Sequence, residues 1–551
     1  YSGILTDMGI EHGYLQVPGA HDWETWQLIY AYAAENFFWK ADTDEQQPAD
    51  PFDYSKYDKG VTVEADPESP TGYTATFVYD EEDSYNGLTG DIIKVELYSD
   101  CMYLFKYEEQ TAGALDPAMA HTPDEFAPGM YPAGGNGDTT YYAEMTQFED
   151  GLWGVRVPLS SGAFVYNFRV TDSDGNQLSR LDDPSNPTLV NSATGIHSLS
   201  SMVYIPYNSE TMGTGDYADR SVELPRTDGR TGTVETIAYT GAAGDQRGLA
   251  VYLPYGYDAD RAEPYKILYL SHGASGDQTG NELRWMNEGA VANIMDNLAA
   301  EDKIEPYVVV TMNNQDLGWD YDKIWDEQEL IMELIESKYN VCDTAEGRAF
   351  AGLSMGGITT SNMYMNHIDE FSYYGIWSAA NTGGLTEDVK SILANAKDKV
   401  HVFTAAGEWD FGLSSVTEYS NVLTELGIKH DHLQVPGAHD WETWQLIYAY
   451  AAENFFWKAD STIPGAEDPG DVPPATDKPG TSDPDKGNGN SGGNSSAINT
   501  GSKSTGKVNT NSPAAKTGDN LNAGFAAGSA IVSLVLLTAV IIIRKKYFSA
   551  R

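Results

Sequence analysis

The sequence predicts an α/β domain built on a mostly parallel sheet and preceded by an all-β sandwich. A disordered stalk and one C-terminal transmembrane helix are expected to follow. Three observations carry this. Residues 61–207 alternate apolar and polar side chains between frequent turn signals, as half-buried strands do. Residues 233–460 instead show continuous apolar runs separated by helical stretches, the pattern of parallel strands covered on both faces. Residues 523–543 are an uncharged apolar run, and about 20 such residues span a bilayer.

Taken in order, the chain begins with half of a repeat. Leu15 to Asp42 is identical to Leu433 to Asp460, at an offset of 418. Residues 1–46 are therefore expected to be the tail of an upstream copy of the α/β domain, within a longer tandem protein, and no signal peptide is visible. Residues 47–60 read as a linker. Segments such as YTATFVYD, IIKVELYS, GLWGVRVPL and AFVYNFRVTD then supply the sandwich strands of 61–207. Residues 208–232 form a polar, Gly-rich connector.

From Thr233 the runs YKILYLSH, YVVVTMNN, RAFAGLS and VHVFTAAG read as buried parallel strands, with a last helix around Trp441 to Trp457. Residues 461–520 contain no aromatic residue and are dense in Pro, Gly, Ser, Asn, Asp and Thr, the composition of a flexible stalk. Arg544, Lys545 and Lys546 follow the apolar run, which puts the tail of 544–551 in the cytoplasm and everything upstream on the outer face of the membrane. Lys516-Thr517-Gly518-Asp519 resembles the end of a Gram-positive sortase signal in degenerate form, with Ala514 and Ala515 in place of the usual Leu and Pro.

At 551 residues, 41% of them apolar, the chain is long enough for several cores. Its 82 acidic against 33 basic residues repel nucleic acid, so a neutral polysaccharide or a small acyl ester is the better-matched partner. Only Cys101 and Cys342 are present, without metal-ligand spacing, and both are expected as isolated buried thiols. No cofactor or metal is expected.

The chemistry concentrates in the second domain. Gly352-Leu353-Ser354-Met355-Gly356 follows an apolar strand and precedes a helical run, the strand–turn–helix setting in which G-x-S-x-G presents a nucleophilic serine. A serine needs a base and the base a carboxylate, in the chain order Ser, acid, His for α/β-hydrolases. His367 on the following helix and His401 at a strand start read as structural. His430 and His432 alternate on a strand, where a metal pair lacks further ligands. His439, in a loop between a strand and the last helix, is the candidate base. Asp410, just past the strand HVFTAAG, is the candidate acid; Glu408 competes, and Asp440 reads as solvated. The oxyanion hole is assigned to the backbone N–H groups of Met355 and of Ala274, which lies in the Ser271-to-Gly276 loop that His272 is expected to brace.

Together, Val251-Tyr252-Leu253-Pro254, Tyr269-Leu270-Ser271-His272-Gly273, Gly352 to Gly357, Gly407 to Asp410 and Gly437 to Trp444 resemble the "Putative esterase" (esterase D-like) family. Within it they resemble carbohydrate esterase family 1 of feruloyl and acetylxylan esterases. The resemblance implies Ser354, Asp410 and His439 as the triad, in agreement with the reading above. Ser271 stands where many relatives carry an apolar residue. Gly151-Leu152-Trp153, Gly162 to Arg169 and Asp182-Asp183-Pro184 resemble an early-set, immunoglobulin-like domain, which either binds glycan or only packs against the esterase. His21, the counterpart of His439, is expected to be silent. The expected function is a serine esterase acting on feruloyl or acetyl groups of xylan. The alternatives are another ester such as a siderophore trilactone, acyl transfer, or a glycan-binding surface protein with a vestigial esterase.

Overall fold

The computed structural model describes residues 52–458 except 83–84, 100–101 and 135–141. The N-terminal repeat piece, Cys101, the stalk, the apolar run, the basic tail and the sortase-like motif lie outside the described residues, as does all of the linker before residue 52. No helix among the described residues is long and apolar enough to cross a membrane.

The alternating segments form two antiparallel sheets. One has four strands, in the order Gly60–Ala65, Tyr73–Asp80, Leu152–Pro158, Thr146–Glu149. The other runs Gln177–Leu181, Gly162–Asp172, Ile92–Ser99, Tyr142–Glu144, with Ser201–Ile205 also paired to Gly162–Asp172. Phe77, Tyr79, Val95, Leu97, Phe164 and Phe168 close a core shared by both sheets. Trp153 is buried in that core and donates its indole N–H to Glu81 at 2.6 Å, so its ring is not a surface platform for sugar.

The second part of the chain folds around an eight-stranded sheet. Its strands are β1 (Thr233–Thr240), β2 (Gln246–Leu253), β3 (Ile267–Ser271), β4 (Val308–Met312), β5 (Arg348–Leu353), β6 (Tyr373–Trp377), β7 (His401–Gly407) and β8 (His430–Val435). The spatial order is β1-β2-β4-β3-β5-β6-β7-β8, antiparallel at β1–β2 and β2–β4 and parallel elsewhere. Its helices are α1 (Val291–Ala300), α2 (Tyr321–Lys338), α3 (Met355–Asn366), α4 (Glu387–Ala396), α5 (Leu413–Glu425) and α6 (Trp441–Asn454). Strands β3, β4 and β6 are buried along their whole length, and β5 is buried beyond Arg348, which explains their apolar runs. Separate apolar clusters cover the two faces, one containing α1 and α6 and the other α2.

The two β sheets and the α/β sheet are not beads on a string. Ala163, Val165 and Met202 of the first part share a core with Trp285, Ile294, Trp441, Trp444 and Tyr448 of the second. Fully buried Glu288 accepts from Ser198 Oγ (2.7 Å) and Leu199 N (3.0 Å). The connector, read from sequence as polar and Gly-rich, is buried at Arg220 and Glu223. Arg220 pairs with Glu223 at 2.8 Å and donates to Glu442 O (2.9 Å) and Gln445 Oε1 (2.8 Å) on α6, while Glu223 accepts from Ala163 N (3.1 Å). A short charged segment is legible as solvated only while its partners, 60 to 225 positions away, are unseen.

Candidate active site

The parallel strands deliver their C-terminal ends to one edge of the sheet, where the loops carrying chemistry gather. Ser354 sits in the turn between β5 and α3 with φ 53° and ψ −115°, a strained conformation that a non-glycine residue adopts where the surroundings enforce it. The turn is tight enough that a Cβ on Gly356 would lie 2.5 Å from Ser271 O. Strand β7 ends just before Asp410, and β8 ends just before the loop that bears His439.

Ser354 Oγ lies 2.9 Å from His439 Nε2, and His439 Nδ1 lies 2.8 Å from Asp410 Oδ1. Gly412 N also donates to Asp410 Oδ1, at 2.6 Å, and the carboxylate is fully buried. With Nδ1–H committed to Asp410, Nε2 is left to accept from the serine, the tautomer a general base needs. The imidazole is gripped on both sides: Phe411 lies against it at 4.0 Å between centroids and Trp444 meets it edge-on at 5.1 Å. Phe411 itself is 57% exposed, at the mouth of the site.

Met355 opens α3, so its N–H belongs to the first turn, which has no intrahelical acceptor. The Ser271-to-Gly276 loop passes close by: a Cβ on Gly273, the residue before Ala274, would lie 3.2 Å from Ser354 Cβ. His272 is buried behind that loop, with Nδ1 donating to Gly273 O (2.5 Å) and Nε2 accepting from Asn314 N (3.0 Å). Burial pushes its pKa down to about 4. Both nitrogens are occupied, so it braces the loop and has no free lone pair for a substrate proton.

The remaining candidates stay out of the constellation. His367 stacks on Trp325 at 3.6 Å and His401 on Tyr373 at 4.6 Å. His430 bonds Ser420 Oγ (2.6 Å) and Ile428 O (3.0 Å), and His432 bonds Thr404 Oγ1 (2.9 Å). Among the described residues no group of three or more His, Cys, Asp or Glu is placed to hold a metal. Ser271 Oγ takes a hydrogen bond from Asn314 Nδ2 at 3.3 Å, which accounts for a hydroxyl at a usually apolar position. Cys342 is partly rather than fully buried. Glu408 is half-buried and makes no contact with His439, and burial raises its pKa to about 7.

A further expectation is overturned at the start of α6. Asp440 is buried instead of solvated. It caps α6 by accepting from Thr443 N (2.9 Å), and its other oxygen accepts from Ala438 N (3.3 Å) and Gly134 N (2.9 Å). The reason is that this helix end lies under a segment of the first part of the chain, so its orphan N–H groups need a protein acceptor. Nothing in the local sequence shows that cover.

Residues 240–449 match the family described as "Putative esterase". Over 252 residues the chain is 29% identical to an endo-1,4-beta-xylanase/feruloyl esterase of Xylanibacter ruminicola, covering 43% of this chain and 33% of that protein. It is 28% identical over 254 residues to endo-1,4-beta-xylanase Y of Acetivibrio thermocellus, covering 41% of this chain and 23% of that one. The chain thus spans about a third or less of the length of these curated relatives. A mutant of the feruloyl esterase module from Clostridium thermocellum complexed with sinapinate is 25% identical, with a TM-score of 0.36, covering 44% of this chain and 92% of that one. The matched segment is thus similar to carboxylic ester hydrolases.

Proposed function

We propose that the protein is a serine esterase that removes feruloyl or acetyl groups from xylan through an acyl-enzyme. The observation that carries the reaction is the hydrogen-bonded series Ser354–His439–Asp410, on the loops that follow β5, β8 and β7. Ser354 Oγ attacks the ester carbonyl while His439 Nε2 takes its proton. Asp410 holds Nδ1–H and stabilises the imidazolium. The N–H groups of Met355 and Ala274 receive the developing oxyanion. His439 then returns the proton to the leaving sugar oxygen, and water, activated by the same imidazole, releases the acid and regenerates the serine.

The substrate class rests on the names of the two curated relatives, one a xylanase with a feruloyl esterase and the other a xylanase. The acidic composition, which suits a neutral glycan, supports it, as does the exposed Phe411 ring beside the base, which offers a flat apolar face to an aromatic acyl group or a sugar. The first part of the chain is proposed as an early-set, immunoglobulin-like sandwich. The apolar run of 523–543 is proposed as a membrane anchor that holds the enzyme on the outer cell surface.

The test compares the full chain with Ser354→Ala on methyl ferulate, acetylated xylan and an aryl acetate. Release of ferulate or acetate by the parent, with a loss on the order of 10^4-fold or more in Ser354→Ala, is expected. Hydrolysis that survives the substitution would remove Ser354 from the reaction, and cleavage of the aryl ester alone would sink the xylan assignment.

A further inference from the structure

Between the strands Ile92–Ser99 and Tyr142–Glu144 the chain leaves the five-stranded sheet. The intervening segment from Met102 to Gly134 contains a two-stranded ribbon, Leu104–Lys106 with Met130–Pro132, and three short 3-10 turns. Met102 and Phe126 pack on the core of the two β sheets, while the rest forms a separate apolar cluster with the α/β part of the molecule: Tyr103, Phe105, Leu115 and Ala133 pack on Trp409 and Ala438. Those two residues immediately precede Asp410 and His439. Phe105 and Tyr107 place their rings 6.1 and 6.0 Å from that of Trp409.

Two hydrogen bonds from main-chain N–H groups fasten the same loops, one to a carbonyl and one to a carboxylate. Gly113 N donates to Glu408 O at 2.6 Å, and Gly134 N donates to Asp440 Oδ2 at 2.9 Å. Each loop therefore has one apolar and one polar attachment to a segment that comes from the other end of the chain, about 300 positions earlier.

Resting on the esterase reading above, we propose that the Met102-to-Gly134 segment holds the acid and base loops in register, and that Asp440 is the positioning residue through which it acts on His439. The carboxylate does this with geometry alone. One oxygen fixes the start of α6 through Thr443 N, and the other ties Ala438 N and Gly134 N together. The backbone on both sides of His439 is thereby set relative to the segment. An amide at position 440 keeps one oxygen for the helix cap but loses the acceptor on the other arm.

The test uses the full chain, with Asp440→Asn and Gly134→Pro, which removes the N–H donor, singly and together. Two readings are taken: kcat and KM on an aryl acetate, and the proton resonance of the His439 Nδ1–H, which needs no substrate. Each single variant is expected to lose about 10- to 100-fold in kcat, the scale of a small misplacement of reacting groups, with KM changed less than twofold. The Nδ1–H signal moves or broadens in both, and the double variant is no worse than the poorer single one because both remove the same contact. Unchanged kcat, an unmoved resonance, or additive losses would each overturn the proposal. Should Gly134→Pro not fold, Phe105→Leu, which thins the packing on Trp409, takes its place and must lower kcat with the same resonance change. A parent chain that hydrolyses no ester fails the esterase reading alone, since the resonance still decides the positioning role.

Discussion

At the scale of single residues, the two carboxylates weighed as the acid, Asp410 and Glu408, have different surroundings. Asp410 is buried with its carboxylate bonded to His439 and Gly412 N. Asp410→Asn keeps the shape but favours the wrong imidazole tautomer, and kcat is expected to fall by about 10^4-fold with folding intact, as read from ester hydrolysis alongside circular dichroism. Glu408 is the contrasting carboxylate. Burial raises its folded pKa to about 7 from an ordinary value near 4.5. The stability tied to its protonated form is fully present below the lower value and is lost as pH rises through about 7. Glu408→Gln is therefore expected to match the parent's thermal midpoint near pH 4.5 and to exceed it by a growing margin towards pH 8; a constant margin across that range would refute the assignment. Ser354 and Asp410 were legible because each follows an apolar strand, and His439 because it comes next in the chain order Ser, acid, His, in a loop between a strand and the last helix. Asp440 was not, since Gly134, whose N–H donates to its carboxylate, is remote in sequence.

At the scale of elements, the turn from β5 into α3 is the most demanding piece of local structure. A side chain at Gly356 would press on the main chain at the end of β3, where Ser271 O and His272 O lie within 2.5 and 2.8 Å of the added carbon. Gly356→Ala is expected to destabilise the fold by about 1–3 kcal/mol, measured by chemical denaturation, and to lower kcat more than it raises KM, because the clash displaces the nucleophile and the oxyanion loop together. The parallel strands were readable as continuous apolar runs, and the sandwich strands as alternating ones. The connector was not, because period and composition describe only a residue's own surface. Its short helical turns, Ser209–Met212 and Ser221–Glu223, are held by tertiary partners.

At the scale of the whole molecule, the first and second parts of the chain are joined by a buried charge. Arg220 and Glu223 are 4% and 0% exposed, and the pair reaches the strand at Ala163 and the helix α6 at once. Arg220→Met leaves Glu223 buried without its counter-charge and is expected to cost about 3–5 kcal/mol in denaturant unfolding. Adding Glu223→Gln removes the stranded charge while keeping an acceptor for Ala163 N, and most of that loss should return. If the double variant is as unstable as the single one, the bonds from Arg220 to Glu442 and Gln445, and not the charge, hold the two parts together.

The sequence by itself determined the order of sheets, the nucleophile elbow and the Ser–acid–His series, because periodicity and short motifs are local and survive without their neighbours. Only the tertiary structure decided that Trp153 is core, which partners occupy both nitrogens of His272, and that Asp440 is buried. It also decided that a segment near position 100 lies against the loops of Asp410 and His439. Burial is a property of pairs of surfaces, and each of these outcomes depends on a partner that the chain supplies from far away.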